Sequence, residues 1–139
     1  MNIDVKIISD GDVSGALLVT DEKHNIDLFL GTGGGPEGVL AASALDTYEC
    51  GFQARFIFDT DKLKKRANKM GIKDFEKKYN LDEIVKGDSL FCASGITKGD
   101  LVNGLDLRNN KMIVNTLITH KSQNMKKIVT GEIDIIKWY

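Results

Sequence analysis

A run of glycines between an apolar segment and a helical pattern is the feature that most restricts how this chain can fold. Residues 26–30 are mostly apolar and predict a β-strand, and four of the next five positions, 31–35, are glycine. Pro36 suits the first turn of a helix, because the N–H that proline lacks has no intrahelical partner there. Apolar residues then recur every three or four positions up to Tyr48 and predict a helix. A strand, a loop and a helix in this order are typical of an α/β fold.

The rest of the chain alternates between strand and helix patterns and then changes to strands. The predicted elements are strands at 3–9, 52–58 and 90–93, helices at 13–19 and 60–80, and closing strands at 105–107, 112–118 and 127–133. Asparagine-rich turns join the closing strands, as in antiparallel hairpins. We therefore predict one α/β domain over residues 1–139, with a mixed sheet flanked by helices.

Composition excludes several classes of partner. The chain has 139 residues, with 19 lysines and arginines against 20 aspartates and glutamates, for a net charge of −1. This balance provides no general attraction to nucleic acid or to anionic lipid. No stretch approaches the ~20 apolar residues of a membrane span, and the first residues do not resemble a signal peptide, so we predict a cytoplasmic protein. Cys50 and Cys92 stand beside apolar residues and are predicted to be buried thiols.

The glycine loop is the first candidate site. Main-chain N–H groups beside a helix N-terminus can bind an anion, and phosphate is the expected ligand. The loop follows a strand that is predicted to be parallel, and open α/β sheets bind ligands at the carboxyl ends of such strands. A plain tight turn is the alternative interpretation of an isolated glycine cluster.

A dinucleotide site is another interpretation of the same loop. Gly33, Gly35 and Gly38 fit the spacing G-x-G-x-x-G, and Asp59 closes the next predicted strand about 20 residues later. Glu37 argues against it, because its carboxylate would lie in the first helical turn, where the pyrophosphate belongs. A metal ion between the two negative groups would remove the repulsion, as in metal-assisted phosphoryl hydrolysis. Otherwise Glu37 is only a carboxylate favoured by the helix dipole.

Asp10 and Asp12 form a second candidate site at the end of the predicted strand 3–9, with Gly11 between them to permit a sharp turn. Carboxylates at strand ends are often caps, but they can also accept hydrogen bonds from sugar hydroxyls or bind magnesium. Two acidic or glycine-rich turns at the ends of neighbouring predicted strands are less expected by chance, so together they favour a binding site. His24 and His120 are far apart, have no nearby Cys or Ser arrangement, and receive no catalytic role.

Three segments, in this order and spacing, resemble the class II fructose-1,6-bisphosphatases: residues 9–16 (SDGDVSGA), 31–40 (GTGGGPEGVL) and 93–97 (ASGIT). The segment around Pro36 is the most specific of the three. The likeness extends over nearly the whole chain but reaches only the C-terminal part of the family, whose members are more than twice as long. We therefore expect residues 1–139 to correspond to the C-terminal half, with the N-terminal half absent.

The resemblance implies a metal-dependent phosphatase of carbohydrate metabolism that removes the 1-phosphate of fructose 1,6-bisphosphate and, in some members, of sedoheptulose 1,7-bisphosphate. It implies Mn²⁺ or Mg²⁺ as cofactor. By position, Asp10, Gly11, Asp12 and Gly34 would bind the sugar substrate and Glu37 would be a metal ligand. The implied fold is one layer of the sandwich of the lithium-sensitive sugar phosphatases.

The same resemblance implies an incomplete site. The family's other metal-binding carboxylates, the threonine thought to assist the leaving group and a basic substrate-binding cluster belong to the absent half, so no catalytic residue is identified here. Since one carboxylate leaves Mg²⁺ almost wholly hydrated, we predict little or no phosphatase activity for the isolated chain. A separately encoded N-terminal half is one expected partner. Strands that pair with that half would expose unpaired backbone and apolar surface, favouring a homo-oligomer.

Two alternatives to a phosphatase remain open at this point. One is a nucleotide- or dinucleotide-binding module, which would bind its ligand without metal. The other is a phosphosugar-binding domain without catalytic activity.

Overall fold

The computed structural model describes residues 2–135, so the predicted domain of residues 1–139 extends beyond that range at both ends. Helices predominate in the first half of the chain and an antiparallel sheet in the second. The α-helices are α1 (Asp12–Leu17), α2 (Gly35–Thr47), α3 (Asp61–Lys69) and α4 (Leu81–Ile84). The strands are β1 (Gln53–Arg55), β2 (Lys78–Asn80), β3 (Leu90–Ser94), β4 (Asp106–Arg108), β5 (Lys111–His120) and β6 (Met125–Asp134). The predicted α/β class with flanking helices is confirmed.

Strand β5 is the centre of the larger sheet. β6 pairs with it along its whole length on one side, while β3 and β4 pair with opposite ends of its other side. The turn between β4 and β5 consists of Asn109 and Asn110, both with positive φ, which is the requirement of a type I′ hairpin turn. The three predicted closing strands and their asparagine turns are therefore confirmed.

Parallel pairing, which the predicted mixed sheet requires, is not seen within residues 2–135, where every strand pair is antiparallel. The predictions of strands at 3–9 and 26–30 are wrong for this part of the chain, and that of 52–58 is reduced to β1. A strand requires a hydrogen-bonded neighbour as well as a β-forming sequence. Within the described residues, neither 3–9 nor 26–30 has such a neighbour.

The predicted helix at 60–80 ends early, at Lys69. Thr60 caps its start by accepting a hydrogen bond from the Leu63 N–H. At its end, Gly71 adopts φ 94°, its N–H donates to Asn68 O, and the Ile72 N–H donates to Ala67 O. These two bonds form a Schellman motif, which stops a helix wherever glycine can take the left-handed conformation. None of the described helices is both long and apolar enough to cross a membrane.

The core lies where α1, α2 and the β3–β5 part of the sheet meet. Its buried members are small or aliphatic residues of the two helices, together with one side chain from each of the two strands: Ala16, Leu17, Ala41, Ala44, Leu45, Phe91 and Leu117. Phe91 faces this core, whereas its neighbour Cys92 faces the other side of the sheet and is exposed. The prediction that both cysteines are buried is therefore wrong for Cys92. Cys50 is half-buried.

Two backbone segments of the loop between β3 and β4 lie in direct contact. The Leu105 N–H donates to Ile96 O at 3.1 Å. A Cβ atom on Gly95 would overlap Asn103 O, and one on Gly104 would lie 2.6 Å from Lys98 N. Both glycines are therefore required by the approach of two backbone segments.

We expect Gly95→Ala to lower the free energy of unfolding by about 1–3 kcal/mol, because the added methyl group must displace backbone. Gly51→Ala is the matched control, since a Cβ there meets no atom within 4 Å and φ is outside the left-handed region. Its effect should stay within about 0.5 kcal/mol. Urea unfolding measures both, and equal effects would contradict the prediction.

Candidate functional site

The acidic turn, residues 10–12, precedes α1. Gly11 caps the helix in the left-handed conformation, with φ 76° and ψ 40°, which favours glycine at this position. Its carbonyl oxygen accepts hydrogen bonds from the Gly15 N–H at 2.7 Å and from the Ser14 hydroxyl at 2.8 Å. These bonds fix the turn. Asp10 and Asp12, on either side of Gly11, remain exposed.

The glycine loop, residues 31–35, leads into α2, which starts at Gly35 with Pro36 as its second residue. Gly34 is the cap residue, and its carbonyl oxygen accepts from the Gly38 N–H at 3.0 Å. Within the described part of the chain, no N–H of the glycine loop donates to a backbone carbonyl. Free N–H groups at the start of a helix are suited to an anion.

Glu37 folds back over the glycine loop from the first turn of α2. A Cβ atom on Gly34 would overlap Glu37 Oε2, so the present position of this carboxylate depends on glycine at 34. The carboxylate therefore lies beside the backbone that is suited to an anion. Two negative groups can share that space only with a cation between them.

The two turns meet in the folded chain. A Cβ atom on Gly33 would lie 2.7 Å from Asp12 Oδ2, which places this carboxylate against the glycine loop. The structure thus brings Asp12 of the acidic turn against Gly33, the neighbour of Gly34 in the glycine loop. The roles of these residues in binding remain predictions.

The described residues do not on their own fit a resident divalent metal ion. No three His, Cys, Asp or Glu side chains within residues 2–135 are grouped so that they could hold one. Divalent magnesium binds through carboxylates, substrate phosphates and water, and a single exposed carboxylate provides little of that shell. Glu37 could therefore supply at most one ligand to a metal ion.

Comparison with known proteins agrees with the resemblance of the three segments. A family model described as "Bacterial fructose-1,6-bisphosphatase, glpX-encoded" matches residues 1–133. The chain belongs to this family. The predicted resemblance to class II fructose-1,6-bisphosphatases is thereby confirmed.

Individual relatives support the same assignment. "Fructose-1,6-bisphosphatase class 2" of Haemophilus influenzae is 37% identical over 144 residues, which cover 91% of this chain and 43% of that protein. "D-fructose 1,6-bisphosphatase class 2/sedoheptulose 1,7-bisphosphatase" of Trichodesmium erythraeum is 34% identical over 138 residues, covering 90% of this chain and 40% of that protein. The chain therefore spans about two fifths of the length of these curated relatives.

One polar cluster of this class II fructose-1,6-bisphosphatase chain was missed by the sequence analysis. His120 Nε2 lies 2.6 Å from Asp88 Oδ2 and 3.3 Å from Ser122 Oγ. A nucleophilic triad needs the acid and the hydroxyl on different ring nitrogens, whereas both contact Nε2 here. Asp88 also accepts from the hydroxyl and the backbone N–H of Ser122. The cluster therefore holds the turn after β5. Asp88 and Ser122 are 34 residues apart, and no local sequence pattern indicates their contact.

The hydrogen bonds from Ser122, first from its hydroxyl and then from its backbone N–H, together with that from His120, lower the pKa of Asp88 to about 2. A carboxyl whose pKa is lower in the folded state stabilises the fold above its unfolded pKa of 3.8, and this contribution is lost as the pH falls to 2. We expect Asp88→Asn to lower Tm at pH 7. The difference from the wild type should shrink between pH 4 and pH 2.

Thermal unfolding followed by circular dichroism across this pH range measures the effect. Asp27→Asn is the control, because the Asp27 carboxylate has no hydrogen bond or ion pair within residues 2–135. Its Tm should follow the wild type at each pH. A deficit of Asp88→Asn that is the same at pH 7 and pH 2 would show that Asp88 does not stabilise the fold through its charge.

Proposed function

We propose that this chain provides the sugar-phosphate side of a metal-dependent fructose-1,6-bisphosphatase. The observation that carries the proposal is the contact of the acidic turn with the glycine loop, where Asp12 lies against Gly33 and Glu37 lies over Gly34. The reaction is hydrolysis of the 1-phosphate of fructose 1,6-bisphosphate. Sedoheptulose 1,7-bisphosphate is a second candidate substrate, since the names of the relatives from Trichodesmium erythraeum and Synechocystis sp. include it.

The two turns have complementary roles in this proposal. The free N–H groups of the glycine loop bind phosphate oxygens, and the missing side chain at Gly34 lets the Glu37 carboxylate lie beside them, where a cation between the two negative groups is required. Asp10 and Asp12 accept hydrogen bonds from sugar hydroxyls, with Gly11 setting the angle between them. Together they orient a phosphorylated sugar by charge and by hydrogen-bond direction.

Glu37 provides one ligand for Mn²⁺ or Mg²⁺, which would neutralise phosphate charge when bound. The remaining ligands come from outside the described residues, because no metal-binding group of three is present within them. The chain by itself therefore releases little or no phosphate. On the family resemblance, the missing ligands belong to the N-terminal half of the longer members. A cytoplasmic location and a homo-oligomer also stay predictions.

A dinucleotide site is less well supported by the same geometry. The spacing of Gly33, Gly35 and Gly38 fits it, but the Glu37 carboxylate lies over Gly34, close to the position a pyrophosphate would take. Without a cation the two groups repel. NAD binding in the absence of metal would therefore contradict the proposal.

The binding part of the proposal is tested by ¹⁵N NMR of the whole chain with fructose 1,6-bisphosphate and Mg²⁺. We expect the amide signals of residues 10–12 and 31–35 to shift, because the phosphate and hydroxyl groups bind there. Glu37→Ala should remove the part of the shift that depends on Mg²⁺. Glu76→Ala, which changes an exposed carboxylate beside Arg55, is the matched control and should leave it intact. If the ligand-induced amide shifts of the wild type are the same with and without Mg²⁺, the proposed role of Glu37 is refuted.

The inactivity of the chain by itself is tested by phosphate release with Mn²⁺ or Mg²⁺. We expect release at background level from both the wild type and Glu37→Ala. Substantial release that disappears in Glu37→Ala would show that this chain is a working phosphatase by itself and that its metal site is more complete than one carboxylate.

A further inference from the structure

Strand β6 forms an outer edge of the larger sheet. Within residues 2–135, β5 is the only strand that pairs with it, and the pairs follow one another without a bulge. Every residue from 126 to 134 is exposed. A free edge is a template for another strand, so natural edge strands are commonly short, bulged or interrupted by proline. β6 has none of these three protections.

The register of β6 shows which of its backbone groups point away from the sheet. The Ile135 N–H donates to Asn110 O at 2.9 Å, on the side of β5. Backbone direction alternates along an antiparallel strand, so the odd-numbered residues of β6 bond toward β5 and the even-numbered residues point toward the free edge. The even-numbered residues include Lys126, Ile128, Thr130 and Glu132.

Opposite charges lie at the two ends of β6. Lys126 and Lys127 are near its start, and Glu132 and Asp134 are near its end. An antiparallel neighbour of the same sequence places its acidic end beside the basic end of β6, and this happens at both ends of the pair. A parallel copy would instead bring like charges together. The free edge is therefore complementary in charge to a second copy of itself.

One register also matches the other side chains. With Val129 on a two-fold axis, Lys126 lies opposite Glu132 of the second copy, and Met125 lies opposite Ile133. Directly opposite side chains of this kind stabilise an antiparallel pair. Lys126 and Glu132 are both even-numbered, so their backbone groups already point toward the free edge, as a hydrogen-bonded pair requires. Val129 and Ile133 are exposed in the single chain and become partly covered.

The neighbouring register fits less well. With Thr130 on the axis, Lys126 still lies opposite a carboxylate, that of Asp134. However, the apolar Ile128 side chain then lies opposite Glu132. The charge pattern and the apolar pattern therefore agree when the axis passes through Val129.

The contacts that Lys126 and Glu132 make in their own chain are compatible with this pairing. Lys126 Nζ lies 5.0 Å from the centre of the Tyr48 ring, and Glu132 accepts a hydrogen bond from Lys111 at 2.8 Å. An ammonium group has three N–H donors, and a carboxylate can accept several hydrogen bonds. Each group can therefore add a partner from the second copy.

We propose that β6 pairs antiparallel with β6 of a second copy about a two-fold axis at Val129, which joins two sheets into one. Backbone hydrogen bonds of the even-numbered residues hold the pair, together with two symmetric ion pairs between Lys126 and Glu132. A single strand pair buries less than the about 1,200 Å² of a standard stable interface, so the dimer dissociates on dilution. The proposal does not depend on the proposed function, because it involves neither the acidic turn nor the glycine loop.

Sedimentation equilibrium of the whole chain, without ligand or metal, measures the association. We expect a monomer–dimer equilibrium in the wild type. Lys126→Glu and Glu132→Lys should each raise the dissociation constant at least about tenfold, because each places like charges opposite one another twice in the dimer. Lys127→Glu is the matched control, since position 127 lies opposite Gly131 in this register. Its dissociation constant should stay within about threefold of the wild type. Circular dichroism confirms that each variant is folded.

An equimolar mixture of Lys126→Glu and Glu132→Lys is the decisive measurement. In the mixed dimer one copy has two acidic residues at positions 126 and 132, and the other copy has two basic residues there. Both ion pairs are thereby restored, so the mixture should associate within about threefold of the wild type although neither variant does so by itself. Mixing cannot restore the contact between Lys111 and Glu132 inside one chain, so recovery shows that the pair is intermolecular.

Amide hydrogen exchange followed by NMR tests the backbone pairing. The amides of residues 126, 128, 130 and 132 should exchange more slowly as the concentration of protein rises, because they become bonded in the dimer. The odd-numbered amides of β6, already bonded to β5, should not change. A chain that stays monomeric at NMR concentrations would overturn the proposal. So would a dimer that the two charge reversals do not weaken, or a mixture that does not recover, because association would then use another surface.

Discussion

Close packing of α1 on α2 is the constraint on which the rest of the structure depends. Both helices contribute small buried residues to this contact, chiefly Ala16, Ala41 and Ala44, so they approach closely. Because the acidic turn leads into α1 and the glycine loop leads into α2, this packing also sets the distance between the two turns. The contact of Asp12 with the glycine loop is its direct result. A larger side chain between the helices would increase the distance between the two turns without changing the conformation of either turn.

The other end of α2 is fixed by a polar contact. Asp46 is 4% exposed, accepts from the Ser89 hydroxyl at 2.6 Å and lies 2.6 Å from Lys121 Nζ. Burial by itself raises the pKa of Asp46, but hydrogen bonds from Lys121 and Ser89 outweigh it, so the pKa is lowered and the carboxylate stays charged. Helix α2 is thus anchored to the sheet at its C-terminus, while its N-terminus carries the exposed site.

Local signals made much of this predictable from sequence. The glycine loop with Pro36 predicted α2, and the Asn109–Asn110 turn predicted a hairpin, because each depends on the conformational preferences of a few adjacent residues. The end of α3 depended on whether Gly71 takes a positive φ, which periodicity does not show. The contact between Asp88 and Ser122 depends on the β3–β5 pairing. For residues 3–9 the strand pattern was present, but a strand also needs a hydrogen-bonded neighbour, and within residues 2–135 this segment has none.

Two features of residues 2–135 concern the same part of the structure. Within residues 2–135 no three possible metal ligands are grouped together, and the strand-like segments 3–8 and 26–30 lack backbone partners and expose apolar side chains. These observations are independent, since one concerns carboxylate number and the other concerns apolar exposure. Both concern the surface beside the acidic turn and the glycine loop, because residues 3–8 run into the first and residues 26–30 into the second.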